Sequence, residues 1–300
     1  MNKKSLIKTV ATVGVLLFSG ISFADDVCTL SNNAIQVNTS NTNNYQGCLF
    51  TPEKISVNIK KIYMCKTAPV VPHDYAQVVL PNDCEAVVDN TANDVYVSLG
   101  QGQNTNFAGV LPPHGSYNYV VFVMGNRWGV QASYQFTGTG LSADGLYGKT
   151  SNGNYCWTLP GELSESAIDA GGSSFASIEN RANWLVECGS AAGTSGMLYT
   201  ILDDASDVDG NGNSTFDTTY NGIRIFGAYV DSTLTKRNNG GNDRILIVND
   251  YSSSPIIVNE STRTLDIALP VTNAASTQLY SIRNMAHFGA GIPFLYIRSN

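Results

Sequence analysis

The residues best suited to chemistry lie between Asp207 and Thr218, in the run Asp207-Val208-Asp209-Gly210-Asn211-Gly212-Asn213-Ser214-Thr215-Phe216-Asp217-Thr218. Oxygen-bearing side chains at the first, third and fifth positions, then Gly at the sixth, form the first half of a calcium loop. Ca²⁺ takes hard oxygen ligands, alternate residues can point inward, and the glycine permits the sharp turn. On this reading Asp207, Asp209 and Asn211 supply side-chain oxygens, Asn213 supplies a backbone carbonyl, and Asp217 is the acid nearest the end of the loop. Thr218 stands where a helix-flanked loop carries a bidentate Glu, and the preceding segment Met197–Leu202 has the pattern of a strand. The expected site is therefore a strand-flanked, structural Ca²⁺ loop. The same Asp, Asn and Gly residues also suit a turn without metal.

Other chemistry has less to work with. No Gly-x-Ser-x-Gly elbow occurs, and Gly189-Ser190-Ala191-Ala192-Gly193 places Ala where the nucleophile belongs. His73, His114 and His287 stand at no metal-ligand spacing and read as loop side chains. Glu162, Glu165, Glu179 and Glu187 are the candidates for a paired-carboxylate glycosidase, with surface acids as the simpler reading. Trp128, next to Arg127 at a turn, is the candidate ligand-binding platform, although its alternation with Val130 also suits a core. Trp157 and Trp184 lie near Cys156 and Cys188 and are expected to pack around a disulfide. No catalytic residue is assigned.

The compartment follows from the first 24 residues. Lys3, Lys4 and Lys8 precede an apolar run from Thr9 to Leu17, and Ser22-Phe23-Ala24 offers a small-x-small cleavage site. This is the layout of a secretory signal peptide, too short for a membrane anchor. Cleavage after Ala24 leaves 276 residues and removes three lysines, moving the formal charge from −7 to −10. So acidic a chain lacks the clustered cations that nucleic acid or anionic lipid demands. No later run is long and apolar enough for a membrane span, and the irregular strand spacing argues against an outer-membrane barrel. In an exported chain the six cysteines read as disulfides. Pairing sequence neighbours gives Cys28–Cys48, Cys65–Cys84 and Cys156–Cys188, among other possible connectivities.

The elements that must position these residues read as strands. Ile55, Val57 and Ile59 alternate until Lys60-Lys61 breaks the period, which predicts a bulge or a change of face. The run Tyr117 to Met124 is apolar on both faces and should be a central strand covered on both sides. Trp128, Val130, Ala132, Tyr134 and Phe136 form a period-2 face. Further strands are expected at Met197–Leu202, Ile223–Val230, Arg244–Val248, Ile256–Val258, Leu265–Leu269, Gln278–Ile282 and Phe294–Arg298, with a short helix at Glu162–Ala170. The turn Leu111-Pro112-Pro113-His114-Gly115-Ser116-Tyr117 resembles turns common in immunoglobulin-like and prealbumin-like extracellular modules, and implies a β-sandwich.

The fold class expected is all-β, with two antiparallel sandwich-like modules stapled by disulfides. A polar N-terminal arm opens a first domain over 25–140, a Gly-, Ser- and Asn-rich linker spans 141–153, and a second domain carrying the calcium loop covers 154–300. The function expected is that of a secreted, periplasmic or cell-surface, non-catalytic protein: a structural subunit or an adhesin-like protein. It would associate with itself into filaments or with a surface glycan. Strand exchange through the N-terminal arm or the segment Phe294–Ile297 is one route to assembly. The alternative is a carbohydrate-binding protein or a carbohydrate-active enzyme.

Overall fold

The computed structural model describes residues 27–37, 45–92, 96–100, 110–138, 141, 143–163, 185–201, 215–220, 222–236, 241–268, 271–280, 285–290 and 296–299. Their regular elements are all strands. In chain order these are β1 (Leu30–Ser31), β2 (Ala34–Gln36), β3 (Tyr45–Phe50), β4 (Lys54–Cys65), β5 (Cys84–Asp89), β6 (Tyr96–Gly100), β7 (Gly115–Tyr117) and β8 (Tyr119–Gly125). Then come β9 (Arg127–Gln131), β10 (Ser133–Thr137), β11 (Leu146–Tyr147), β12 (Asn152–Gly153), β13 (Tyr155–Thr158), β14 (Gly161–Leu163), β15 (Val186–Gly189) and β16 (Leu198–Ile201). The last are β17 (Thr215–Tyr220), β18 (Ile223–Val230), β19 (Arg244–Asp250), β20 (Ile256–Val258), β21 (Leu265–Ala268), β22 (Ala275–Tyr280), β23 (Met285–Ala290) and β24 (Tyr296–Ser299).

The largest sheet runs β14-β16-β9-β4-β8-β19-β18-β17, with β5 and β6 also paired to β4. Its pivot is β4, the longest strand. The first half of β4 pairs with β6 and β9, and the second half with β5 and β8. Against β8 the register shifts between Ile59 and Lys61, where the Lys60-Lys61 pair breaks the apolar alternation. The extra residue bends the strand, so one strand can serve two sets of partners. Two five-stranded sheets, β1-β2-β10-β13-β15 and β12-β11-β23-β22-β3, and two ribbons, β20-β7 and β21-β24, complete the fold.

β8 is the central strand its composition predicts. Val120, Val121, Phe122, Val123 and Met124 all have zero exposure. Val120, Phe122 and Met124 enter the main core, while Val121 and Val123 enter a second core with Cys65, Val78, Ala228, Val230, Leu246 and Val248. Hydrogen-bonded pairing crosses the segment 141–153. All seven residues of β8 pair with β19, and that segment itself carries β11 and β12, with β11 beside β23.

The three disulfides are those of sequence neighbours, Cys28–Cys48, Cys65–Cys84 and Cys156–Cys188, and no described cysteine is free. Two of them join residues directly opposite one another, on β4 and β5 and on β13 and β15. The Pro-Pro-His-Gly turn ends as expected on a core tyrosine. The Tyr117 ring is fully buried and its hydroxyl donates to the Pro113 carbonyl at 2.6 Å.

Several expectations are corrected. Trp128 has no exposure, and its indole N–H donates to the Gly125 carbonyl at 2.7 Å, so it is a core side chain and offers no platform. Its alternation with the equally buried Val130 was the pattern that decided its face. His287 lies within β23 and not in a loop. Glu162 and Leu163 belong to β14, and the rest of the expected 162–170 helix lies outside the described residues.

Candidate ligand cleft

The calcium-loop residues Asp207, Asp209, Asn211 and Asn213 lie outside the described residues, as do Glu165, Glu179, Trp184 and the signal segment 1–24. Among the described residues no group of three or more His, Cys, Asp or Glu is arranged to hold a metal. Asp217 is described, and its partner is a guanidinium. It sits on β17, an edge strand whose register against β18 sets Asp217 opposite Phe226 and Thr219 opposite Arg224. The two charged residues are thus diagonal neighbours on one sheet face, within reach of each other. Arg224 Nε donates to Asp217 Oδ1 at 3.0 Å and Nη2 donates to Oδ2 at 2.6 Å. That bidentate pair holds the Asp217 carboxyl below its ordinary pKa, with His73 adding a smaller effect of the same sign. Beneath the pair, the Arg224 guanidinium lies over the Phe226 ring at 4.7 Å from its centroid.

This face of β17 and β18 forms one wall of a half-open cleft of about 430 Å³. The opposite wall is Ala68-Pro69-Val70-Val71 with His73, from the loop closed by Cys65–Cys84. The floor includes Phe226 and the bare backbone of Gly227. A Cβ on Gly227 would meet the Leu246 carbonyl oxygen at 2.0 Å and Phe216 Cζ at 2.6 Å, so only glycine lets the core ring of Phe216 pack across that strand.

The loop wall is held at several points. At its base, Thr67 Oγ1 donates to Asp83 Oδ2 at 2.6 Å. Further out, Val70 and Val79 exchange a pair of backbone hydrogen bonds at 3.0 Å. The buried Lys236 ammonium donates to the carbonyls of Pro72 at 3.1 Å and His73 at 2.5 Å. The turn before Lys236 is set by Asp231, whose Oδ1 accepts from the backbone N–H groups of Thr233 and Thr235. From that turn, the Leu234 carbonyl receives the Val78 N–H. A loop of 18 intervening residues is thereby fastened over the second core by one covalent bond and one buried cation.

The remaining candidate acids are engaged elsewhere. Glu162 accepts from Arg127 Nε at 2.6 Å, and that guanidinium stacks over Tyr199 at 3.6 Å and Tyr96 at 5.2 Å. Glu187 accepts from the backbone N–H groups of Thr150 and Ser151 and from both their hydroxyls, and tethers the 148–151 turn to β15. These donors hold its carboxyl below the ordinary range against the opposing effect of burial. Trp157 does not pack around Cys156–Cys188 as expected: as the next residue on β13 it faces away from Cys156. Half-buried, its ring lies on Gly193, where a Cβ would meet it at 2.2 Å.

The sequence reading missed Arg224, Phe226 and the 68–73 wall as partners of Asp217. One available signal was Asn221-Gly222 between two β-branched runs, which marks a two-residue hairpin and brings Arg224 back beside Asp217. No protein family, curated protein or solved structure matches this chain.

Proposed function

We propose that this is an exported, non-catalytic recognition protein of the cell surface or surrounding space, adhesin-like in its mode of action, that binds through a rigid cleft on a β scaffold. The observation that carries the reading is the cleft between the disulfide-closed loop and the β17–β18 hairpin. It is concave, lined by apolar side chains with a few convergent polar groups, and fastened before any ligand arrives, which lowers the ordering cost of binding. Three disulfides suit an extracellular or periplasmic protein. Among the described residues no helix is long and apolar enough to cross a membrane. Of the four candidate acids the two described are engaged, Glu162 by Arg127 and Glu187 by Thr150 and Ser151, which favours a structural role for these two. Burial of β8 on both faces supplies the stiffness such a surface needs.

The test uses the purified chain from Asp25 to Asn300, fluorescently labelled. The expected result is a monomer in size analysis that binds cells saturably and is displaced by unlabelled protein. A monomer that binds no cell surface at any concentration would overturn the reading.

The assembly form of the same reading rests on β2, which joins β10 in parallel through three residue pairs, and on β24, which among the described residues pairs with β21 alone. A second copy could replace either pairing with an identical one. Filaments or dimers in electron microscopy, lost when β24 is deleted, would support exchange. Calcium at Asp207, Asp209, Asn211 and Asn213 belongs to this proposal as a structural element, with Asp217 left to Arg224. Excess Ca²⁺ should then raise the melting temperature relative to EDTA, and coincident melts would exclude an occupied site.

A further inference from the structure

We infer that the cleft takes a neutral saccharide, and that Asp217 and Arg224 together read its hydroxyl groups. This rests on the recognition reading above and names its ligand class. Asp217 and Arg224 largely neutralise each other at 2.6–3.0 Å, and Asp250 faces Arg224 from β19 outside the cleft lining, so a ligand anion would meet carboxylates and a ligand cation would meet the guanidinium. A hydroxyl group both donates and accepts, and can satisfy both partners at once.

The pair has capacity left for this. A guanidinium carries about five N–H donors and a carboxylate about four acceptor positions, and their mutual contact uses two of each. The unspent donors and acceptors lie side by side in one plane, the arrangement that matches neighbouring hydroxyls on a ring. Phe226 beneath Arg224 and Asp217 beside it fix that plane.

The apolar walls complete the match. Ala68, Val70 and Val71 present C–H surface against which the apolar face of a sugar ring can pack. Val70 is 60% exposed, so this wall is open to an incoming ligand. His73 adds a further polar group, and its backbone is anchored by Lys236. A half-open space of about 430 Å³ falls toward the small end of ligand pockets and suits the end of a glycan chain, with the remainder in solvent.

The experiment uses the Asp25–Asn300 protein on a printed array of neutral hexose and N-acetylhexosamine oligosaccharides, with sialylated and sulfated glycans and free octanoate as competing classes. Hits go to calorimetry with wild type, Asp217→Asn, Arg224→Gln, Val70→Lys and Arg127→Gln. The expected result is binding of neutral glycans, weakened at least about tenfold by Asp217→Asn and by Arg224→Gln, since each removes hydrogen bonds made by a charged group. Val70→Lys, which fills the mouth and leaves the ion pair intact, should weaken binding equally, and it decides the matter if the hairpin variants do not fold. Arg127→Gln, outside the cleft, should bind like wild type. Binding confined to anionic glycans or octanoate would overturn the assignment, as would neutral-glycan binding that all three cleft variants retain. If no glycan binds while the labelled protein still binds cells, the cleft assignment fails and the recognition reading survives. If neither binds, both fail.

Discussion

Buried and half-buried polar residues give this protein its local pH behaviour. The Nε2 of His287 is shielded from solvent in β23, and burial lowers the imidazole pKa from 6.5 to about 4. In the unfolded chain the ring takes up a proton as pH falls below 6.5, while the native ring resists until about 4. Stability contributed by the neutral ring is thus complete above pH 6.5 and is lost as pH falls through 4, on the order of 3 kcal/mol in all. The carboxylates act in a different window. Glu187 and Asp217 have lowered pKa values, so their contribution is present above 4.5 and 3.8 respectively and disappears only below those values. Urea melts from pH 7 to pH 4 should therefore show declining stability in wild type and a much flatter profile in His287→Gln. An equal decline in both proteins would show that the ring titrates freely. His287 also shows what a sequence withholds. Met285-Ala286-His287-Phe288-Gly289-Ala290 has too few β-branched residues to announce a strand, and only pairing with β22 and β11 fixes its fate.

At the scale of elements, legibility tracked apolar periodicity. β8, β18, β19 and the break in β4 were readable because each apolar pattern has a single satisfactory placement against a two-sided core. β17 was not. Its Thr-Phe-Asp-Thr-Thr-Tyr composition is polar because one face borders an open cleft, and its Asp suggested a metal ligand when its partner was an arginine across a hairpin. The opposing wall was less legible still, since the loop from Lys66 to Asp83 has no periodicity and is placed by its ties. The main tie is Cys65–Cys84, which joins directly opposed residues of β4 and β5. Replacing both cysteines by serine removes a crosslink with a sequence separation of 19, which should cost about 3 kcal/mol through the unfolded chain. It should also speed amide exchange at Val70 and Val79, whose mutual hydrogen bonds sit inside the loop. Exchange at Val121 and Val123, across the second core, should change only with global stability. Uniform acceleration across all four amides would mean that the loop has no separate stability and that the cleft wall is one piece with the sheet.

For the whole molecule, the governing fact is that strands distant in sequence share one sheet. β4 and β8 come from before residue 141 and β18 and β19 from after residue 153, yet they lie in the order β4-β8-β19-β18. One core runs from Cys28 to Ile297. Strands from the two halves bury each other: without β19, β8 would expose an unpaired apolar edge next to Val121, Val123 and Met124. Closing such contacts between distant segments is slow, which gives the disulfides between sequence neighbours a second role in restricting the chain beforehand. Two consequences can be measured. The oxidised protein should unfold in a single calorimetric transition whose van't Hoff and calorimetric enthalpies agree. Chains ending at Gly140 or starting at Asn154 should be unfolded or aggregated when produced separately. Two resolved transitions, or a soluble fragment with dispersed amide resonances, would show that the β8–β19 ladder joins two bodies that fold independently. A single transition would mean that the cleft inherits its rigidity from the entire sheet, since its β17–β18 wall is the outermost layer built upon β19.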